Sequence, residues 1–212
     1  MLTEPTSVAT KGIEQAIEFH SRSANPINIA VVLGAGPLGL LTTALLRLHN
    51  YSTYTLDIVP GSSLKAQLVE SIGANYLDGN ESPVASLPDK IRNIDLIMEA
   101  TGNSTVAFQA MSALGTNGVL CLMGVSTGQK PFEVNASCLN MQMVLGNKMV
   151  FGTVSSNRGH FERSVQSLKI MEQKWPGWLS RLITRRLTLD KFRDALNPAP
   201  DNIKTVIEIE VP

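Results

Sequence analysis

Three glycines spaced as Gly34-Ala35-Gly36-Pro37-Leu38-Gly39 directly follow an apolar run at 27–33 (INIAVVL) and open an apolar helical stretch. Each glycine has a physical task at that spacing. Gly34 permits a tight turn, Gly36 lets backbone approach a pyrophosphate, and Gly39 lets the helix pack closely on the strand. Pro37 falls at the first helical position, where its missing N–H costs nothing, and Leu38 completes the turn. Free N–H groups and the positive end of the helix dipole then make an anion site. The pattern alone is weak, and its place between a buried strand and a helix gives it weight.

Asp57 ends the second strand, about 18 residues beyond Gly39. A carboxylate there accepts hydrogen bonds from both ribose hydroxyls of an adenosine and repels a 2′-phosphate, so NAD is preferred. The residues that follow, Ile58, Val59 and Pro60, include no arginine, while nearby Lys65 weakens the discrimination and leaves NADP open. Ligands of open α/β sheets sit outside the carboxyl ends of the strands. Thr101 and Gly102 after the fourth strand, Met123 and Val125 after the fifth, and Thr153, Val154 and Ser155 after the sixth are therefore candidate cofactor contacts, the later ones on the nicotinamide half.

Catalytic equipment is not visible. The three histidines, His20, His49 and His160, have no metal-ligand spacing; His20 and His49 read as surface or half-buried helix residues, and His160 stands near the cofactor end of the sheet. Hydrolase and phosphotransferase readings find no G-x-S-x-G elbow or P-loop. Cys121 and Cys138 form no Cys-x-x-Cys pair, which argues against a disulfide framework and fits a reducing cytoplasm.

The elements that position these residues alternate strand and helix. Strands are expected at 27–33, 52–58, 75–77, 94–99, 118–123 and 149–154, with helices at 37–50, 61–72, 105–114 and 136–145. Such alternation specifies α/β architecture, a doubly wound parallel six-stranded Rossmann sheet with right-handed crossovers. One amphipathic helix lies in residues 1–25, before Asn25-Pro26. A helix at 159–174, a Trp-Pro-Gly-Trp turn, a short helix near 189–196 and a final strand at 205–211 close the chain. The expected division is a linking helix (1–25), a NAD(P)-binding domain (26–158) and a C-terminal return segment (159–212).

Composition narrows the partners. Eighteen Lys and Arg balance 18 Asp and Glu in 212 residues, so nucleic acid or an anionic membrane is not an expected partner. Charged residues are 17% against the roughly 25% usual in globular domains. No apolar run reaches the ~18 residues of a membrane span.

The chain resembles the C-terminal, cofactor-binding part of zinc-dependent medium-chain alcohol/polyol dehydrogenases, most of all their glucose dehydrogenase branch. The resemblance rests on Glu4-Pro5, Ala9 to Ile13, the VLGAGPLGLL loop, Ser71 to Tyr76, Glu99-Ala100-Thr101-Gly102, Leu145 to Lys148 and Gly152 to Phe161. The tail around Leu182 to Arg186, Lys191-Phe192 and Ile203 to Ile207 extends it. It implies that the zinc-binding residues belong to a GroES-like catalytic domain ahead of Met1, with the terminal segments of this chain packing on it through apolar faces. Glu4 then stands where the family's metal is approached, and zinc binding requires that domain. Two departures stand out. NADP-accepting members often carry basic residues where this chain has Asp57-Ile58-Val59, and Ser155 replaces an asparagine of the nicotinamide pocket.

Two functions follow. One is the coenzyme-binding portion of an enzyme oxidising a small sugar or polyol. The other is a catalytically silent NAD-binding fragment or half of a split enzyme, as a homo-oligomer or beside a separate chain carrying the catalytic domain. A zinc-independent quinone-reductase-like enzyme and a methyltransferase are more distant readings.

Overall fold

A computed structural model of the chain describes residues 1–126, 128, 131–197 and 201–209. Helix α1 (Thr3–His20) leads into strand β1 (Ile29–Leu33), α2 (Pro37–Leu48), β2 (Ser52–Asp57), α3 (Leu64–Ser71) and β3 (Asn75–Asp78). A short helix α4 (Leu87–Lys90) crosses to β4 (Leu96–Glu99), followed by α5 (Ser104–Ala113), β5 (Val119–Leu122), α6 (Ala136–Leu145) and β6 (Met149–Gly152). The six strands run parallel in the order β3-β2-β1-β4-β5-β6. The order reverses direction between β1 and β4, and that is the switch point of a doubly wound Rossmann sheet.

The near-continuous apolar strands fill both faces. Ala30 and Val32 of β1, Leu96 and Met98 of β4, and Val119 and Cys121 of β5 join one core cluster with α1, α2 and α3. The alternate residues Val31, Leu33, Ile97 and Leu120 join a second cluster with α4 and α5. A period of two divides each strand between the layers.

Several boundaries shift for local reasons. Residues 61–63 are turn, not helix; α3 starts at Leu64 because the Ser63 hydroxyl caps it, accepting from Ala66 N at 3.2 Å. β6 ends at Gly152, so 153–154 are loop, and Ser155 takes φ +61°, outside any strand. The crossover helix α4 was not expected, being four residues long with Pro88 in its first turn.

The ends hold larger corrections. Helix α1 does not present an unpaired apolar face: Ala9, Ile13 and Ala16 are buried in the first core cluster. A Cβ at Gly12 would lie 3.2 Å from Met123 Sδ and 3.3 Å from Cys121 Sγ, so the helix rests directly on the sheet. His20 is fully packed rather than half-buried, at 3% exposure.

Beyond β6, α7 (Arg158–Lys174) and α8 (Trp178–Arg181) lead to an unforeseen strand β7 (Ile183–Thr188). After α9 (Phe192–Ala195), β8 (Lys204–Glu208) pairs with β7 in parallel as a separate two-stranded sheet. The expected end of that last strand, Val211, lies outside the described residues. Among the described residues no helix is long and apolar enough to cross a membrane.

Candidate functional site

The carboxyl ends of β1, β2 and β4 enclose a groove of about 350 Å³, lined by Gly34, Gly36, Leu56, Asp57, Ile58, Ala100, Thr101, Asn103 and Val106. Four predicted residues, Gly34, Gly36, Asp57 and Thr101, meet there. The glycine turn is built as its spacing requires. Gly34 has φ +98°, a conformation open to glycine, and its N–H donates to Leu56 O at 2.7 Å. A Cβ on Gly39 would lie 1.8 Å from Gly34 O, so only a bare backbone lets α2 start this close to β1. Pro37 holds the first position of that helix, and Leu38 packs against the core.

Gly36 is different. Nothing lies within 4 Å of a Cβ built on it, although it stands at the mouth of the groove beside the first turn of α2. The chain leaves open a space that the fold itself does not need, where a diphosphate would meet the helix N-terminus. The residues present therefore fit a dinucleotide.

Asp57 forms the far wall. Its Oδ2 accepts from Ala35 N at 2.6 Å and lies 3.5 Å from Lys65 Nζ; its Oδ1 accepts from Ile58 N at 2.7 Å. The carboxylate thus ties the glycine turn to the end of β2 and carries a lysine partner.

Sequence reasoning missed the residue that shapes the other wall. Glu99, buried at the end of β4, accepts from Thr101 N at 2.6 Å and Gly102 N at 3.1 Å, and also from the Thr101 hydroxyl. Those bonds curl the chain so that Gly102 has φ +68°, and a Cβ there would meet Val125 O at 2.7 Å. The loops after β4 and β5 consequently interlock. Asn103 caps α5, accepting from Thr105 N at 2.9 Å, and brings a second helix N-terminus to the groove. An Asn directly after Thr-Gly and before a helical run was the available signal for it.

The other predicted residues stand apart. Val125 and Val154 are exposed at 77% and 71%, Met123 is buried, and Thr153 and Ser155 occupy the loop after β6. None lines the 350 Å³ groove. Glu4 stands exposed in the first turn of α1. Among the described residues no three His, Cys, Asp or Glu side chains converge as metal ligands. One exposed carboxylate does not fit a zinc site.

The sequence profile of the family described as Glucose dehydrogenase C-terminus matches residues 1–209. The chain belongs to that family. A glucose 1-dehydrogenase from Methanocella arvoryzae is 39% identical over 209 residues, spanning 99% of this chain and 58% of that protein. Among solved structures, Haloferax mediterranei glucose dehydrogenase in complex with NADP, Zn and gluconolactone superposes with a TM-score of 0.89 at 35% identity, covering all of this chain and 59% of that one. A putative zinc-binding dehydrogenase from Sinorhizobium meliloti bound to NADP shares the fold, with a TM-score of 0.78 at 20% identity. The chain therefore spans somewhat under three fifths of these relatives, matching their C-terminal part.

Proposed function

We propose that this chain is the nicotinamide-coenzyme-binding portion of a glucose dehydrogenase-like enzyme, which oxidises a sugar or polyol by hydride transfer to NAD(P). The open position above Gly36 carries the reading, because the glycine turn is otherwise sterically filled. In this reading the pyrophosphate lies over Gly36 and the N-terminus of α2, and the adenosine ribose reaches Asp57. The nicotinamide extends toward Val125 and residues 153–155. The coenzyme accepts the hydride, and the chain's own residues bind it, orient it and hold its charge.

NAD is the preferred form. Asp57 accepts ribose hydroxyls, and Ile58, Val59 and Pro60 bring no guanidinium to a 2′-phosphate, although Lys65 offsets part of the negative charge. The Haloferax relative was solved with NADP, so the two forms must be compared directly. Residues 1–25 lead in, 26–158 hold coenzyme and 159–212 return toward a metal-binding unit, on this chain's gene product or on a partner chain. The two free thiols fit a reducing cytoplasm.

A second reading, a coenzyme-binding module without turnover, is favoured by the placement of Glu4: it stands exposed in the first turn of α1 and, among the described residues, joins no group of three or more metal-ligating side chains. Calorimetric titration of the chain and of Gly36→Val tests the coenzyme groove that both readings share. The variant is expected to keep its unfolding midpoint and lose NADH binding by more than about tenfold, since the new side chain fills only ligand space. Unchanged NADH binding would overturn the coenzyme reading. Glucose oxidation by the chain alone, assayed with added zinc, would overturn the silent one. Asp57→Ala is expected to erase the preference for NAD over NADP.

A further inference from the structure

The loop after β6 is gripped by one face of α1. Lys11 follows Ser7 by four residues, and Glu14 and Gln15 follow Lys11 by three and four, so they share a stripe of that helix. Lys11 Nζ donates to Val154 O at 3.1 Å, and Thr153 Oγ1 donates to Gln15 Oε1 at 2.8 Å. The buried Ser7 hydroxyl donates to Glu4 O at 2.7 Å, so its 2.6 Å contact with Ser156 Oγ is one in which Ser156 donates. Glu14 accepts from Arg163 Nε and Nη2 at 2.5 and 2.7 Å and lies 3.5 Å from His160 Nε2, which fixes the first turns of α7.

Between these attachments stands Ser155 at φ +61°. A non-glycine residue in the left-handed region is unfavourable unless its surroundings over-determine it. Here the surroundings are on both sides: Thr153 and Val154 are tied to α1 before it, Ser156 after it, and Asn157 caps α7 by accepting from His160 N at 3.1 Å. Val154 points into solvent.

We infer that Ser7, Lys11 and Gln15 are positioning residues for the coenzyme: they hold residues 153–156 in the conformation that receives the nicotinamide half. The inference rests on the coenzyme reading of the groove. It gives α1 a role beyond packing, since the same helix buries its apolar side on β4 and β5 and turns this polar stripe toward the loop.

ADP-ribose contains every part of the coenzyme except nicotinamide, and so reports on the groove without the loop. In the double variant Lys11→Met with Ser156→Ala, NADH is expected to bind about fivefold more weakly. ADP-ribose affinity and the unfolding midpoint should match those of the parent chain. Lys11→Arg in the otherwise unchanged chain keeps a cationic donor and should bind NADH like the parent. NADH binding unaffected by the double variant, or NADH and ADP-ribose weakened by the same factor, would overturn the inference and leave the coenzyme reading standing. A parent chain that binds neither ligand would overturn the coenzyme reading, and the inference with it.

Discussion

Strand β4 is bracketed by two buried carboxyl side chains, Asp95 just before it and Glu99 at its end. At the amino end, Asp95 Oδ2 accepts from Asn28 N at 2.8 Å and Ile29 N at 2.9 Å, tying the start of β1 to the start of β4. Its Oδ1 accepts from Asn93 Nδ2 at 2.9 Å. At the carboxyl end the Glu99 carboxylate accepts, among the described residues, from no second strand. It satisfies the N–H groups of its own following turn, at Thr101 and Gly102. One carboxylate staples strands where ordinary packing surrounds them, and the other shapes a loop that faces open space. The same chemistry therefore serves stability below the sheet and shape above it, as expected where ligands bind only at the carboxyl ends.

The largest expected effect comes from the amino end. Asp95→Ala removes the charged acceptor that the Asn28 and Ile29 N–H groups share at the start of β1, and losing two hydrogen bonds to a carboxylate should destabilise the chain by about 3 kcal/mol in denaturant unfolding. NADH affinity, measured where the variant is still folded, should not change. A weakened NADH affinity there would break the contrast between the two ends. Glu99→Ala should act on both quantities, because the loop it shapes lines the groove. It is expected to cost about 2 kcal/mol of stability and about tenfold in NADH affinity. Glu99→Gln keeps one acceptor oxygen and should fall between Ala and the parent in both. If Glu99→Ala changed stability alone, the loop would be indifferent to ligand and the division of labour would fail.

What could be read from residue types follows the same division. The glycine turn was legible because its demands are local: Gly34 stands at φ +98°, a Cβ on Gly39 would overlap Gly34 O, and Pro37 suits a helix start. The parallel strands were legible because burial on both faces leaves unbroken apolar runs. β7 was not, since ITRRLT places two arginines in a half-exposed strand whose partner, β8, comes after an intervening helix. The amphipathic pattern of α1 announced a buried face without saying what covers it, and the answer lay across the sheet on β4 and β5. Glu99 stands in a legible Glu-Ala-Thr-Gly motif, yet its task shows only once the chain has turned back over it. Ser155 carries no glycine to flag a left-handed residue, and its support comes from a helix more than a hundred residues earlier.

The smallest effects distinguish the two ends by proton binding. His20 lies near Asp95, and its pKa is lowered from 6.5, mainly by burial, with Asp95 opposing the shift and Arg22 adding to it. Below pH 6.5 the unfolded chain therefore binds the proton more readily than the folded one, and stability falls as the pH drops. Cys121 lies near Glu99, and its thiol is pushed up from 9.0 to about 12, mainly by burial and then by Glu99, with Lys11 opposing. Above pH 9 the folded chain keeps a proton that the unfolded chain releases, and stability falls as the pH rises, by no more than about 1.4 kcal/mol per unit for one group. The phenol of Tyr76 is raised by burial beside Asp57 and Asp78, and it contributes in the same direction above pH 10. In unfolding midpoints measured from pH 5 to pH 10, His20→Gln should flatten the acid limb alone, and Cys121→Ala should flatten the alkaline limb between pH 9 and 10 alone. An acid limb unaffected by His20→Gln would mean that the amino end takes up no proton on unfolding. The contrast would then rest on the two carboxylates without their titrating neighbours.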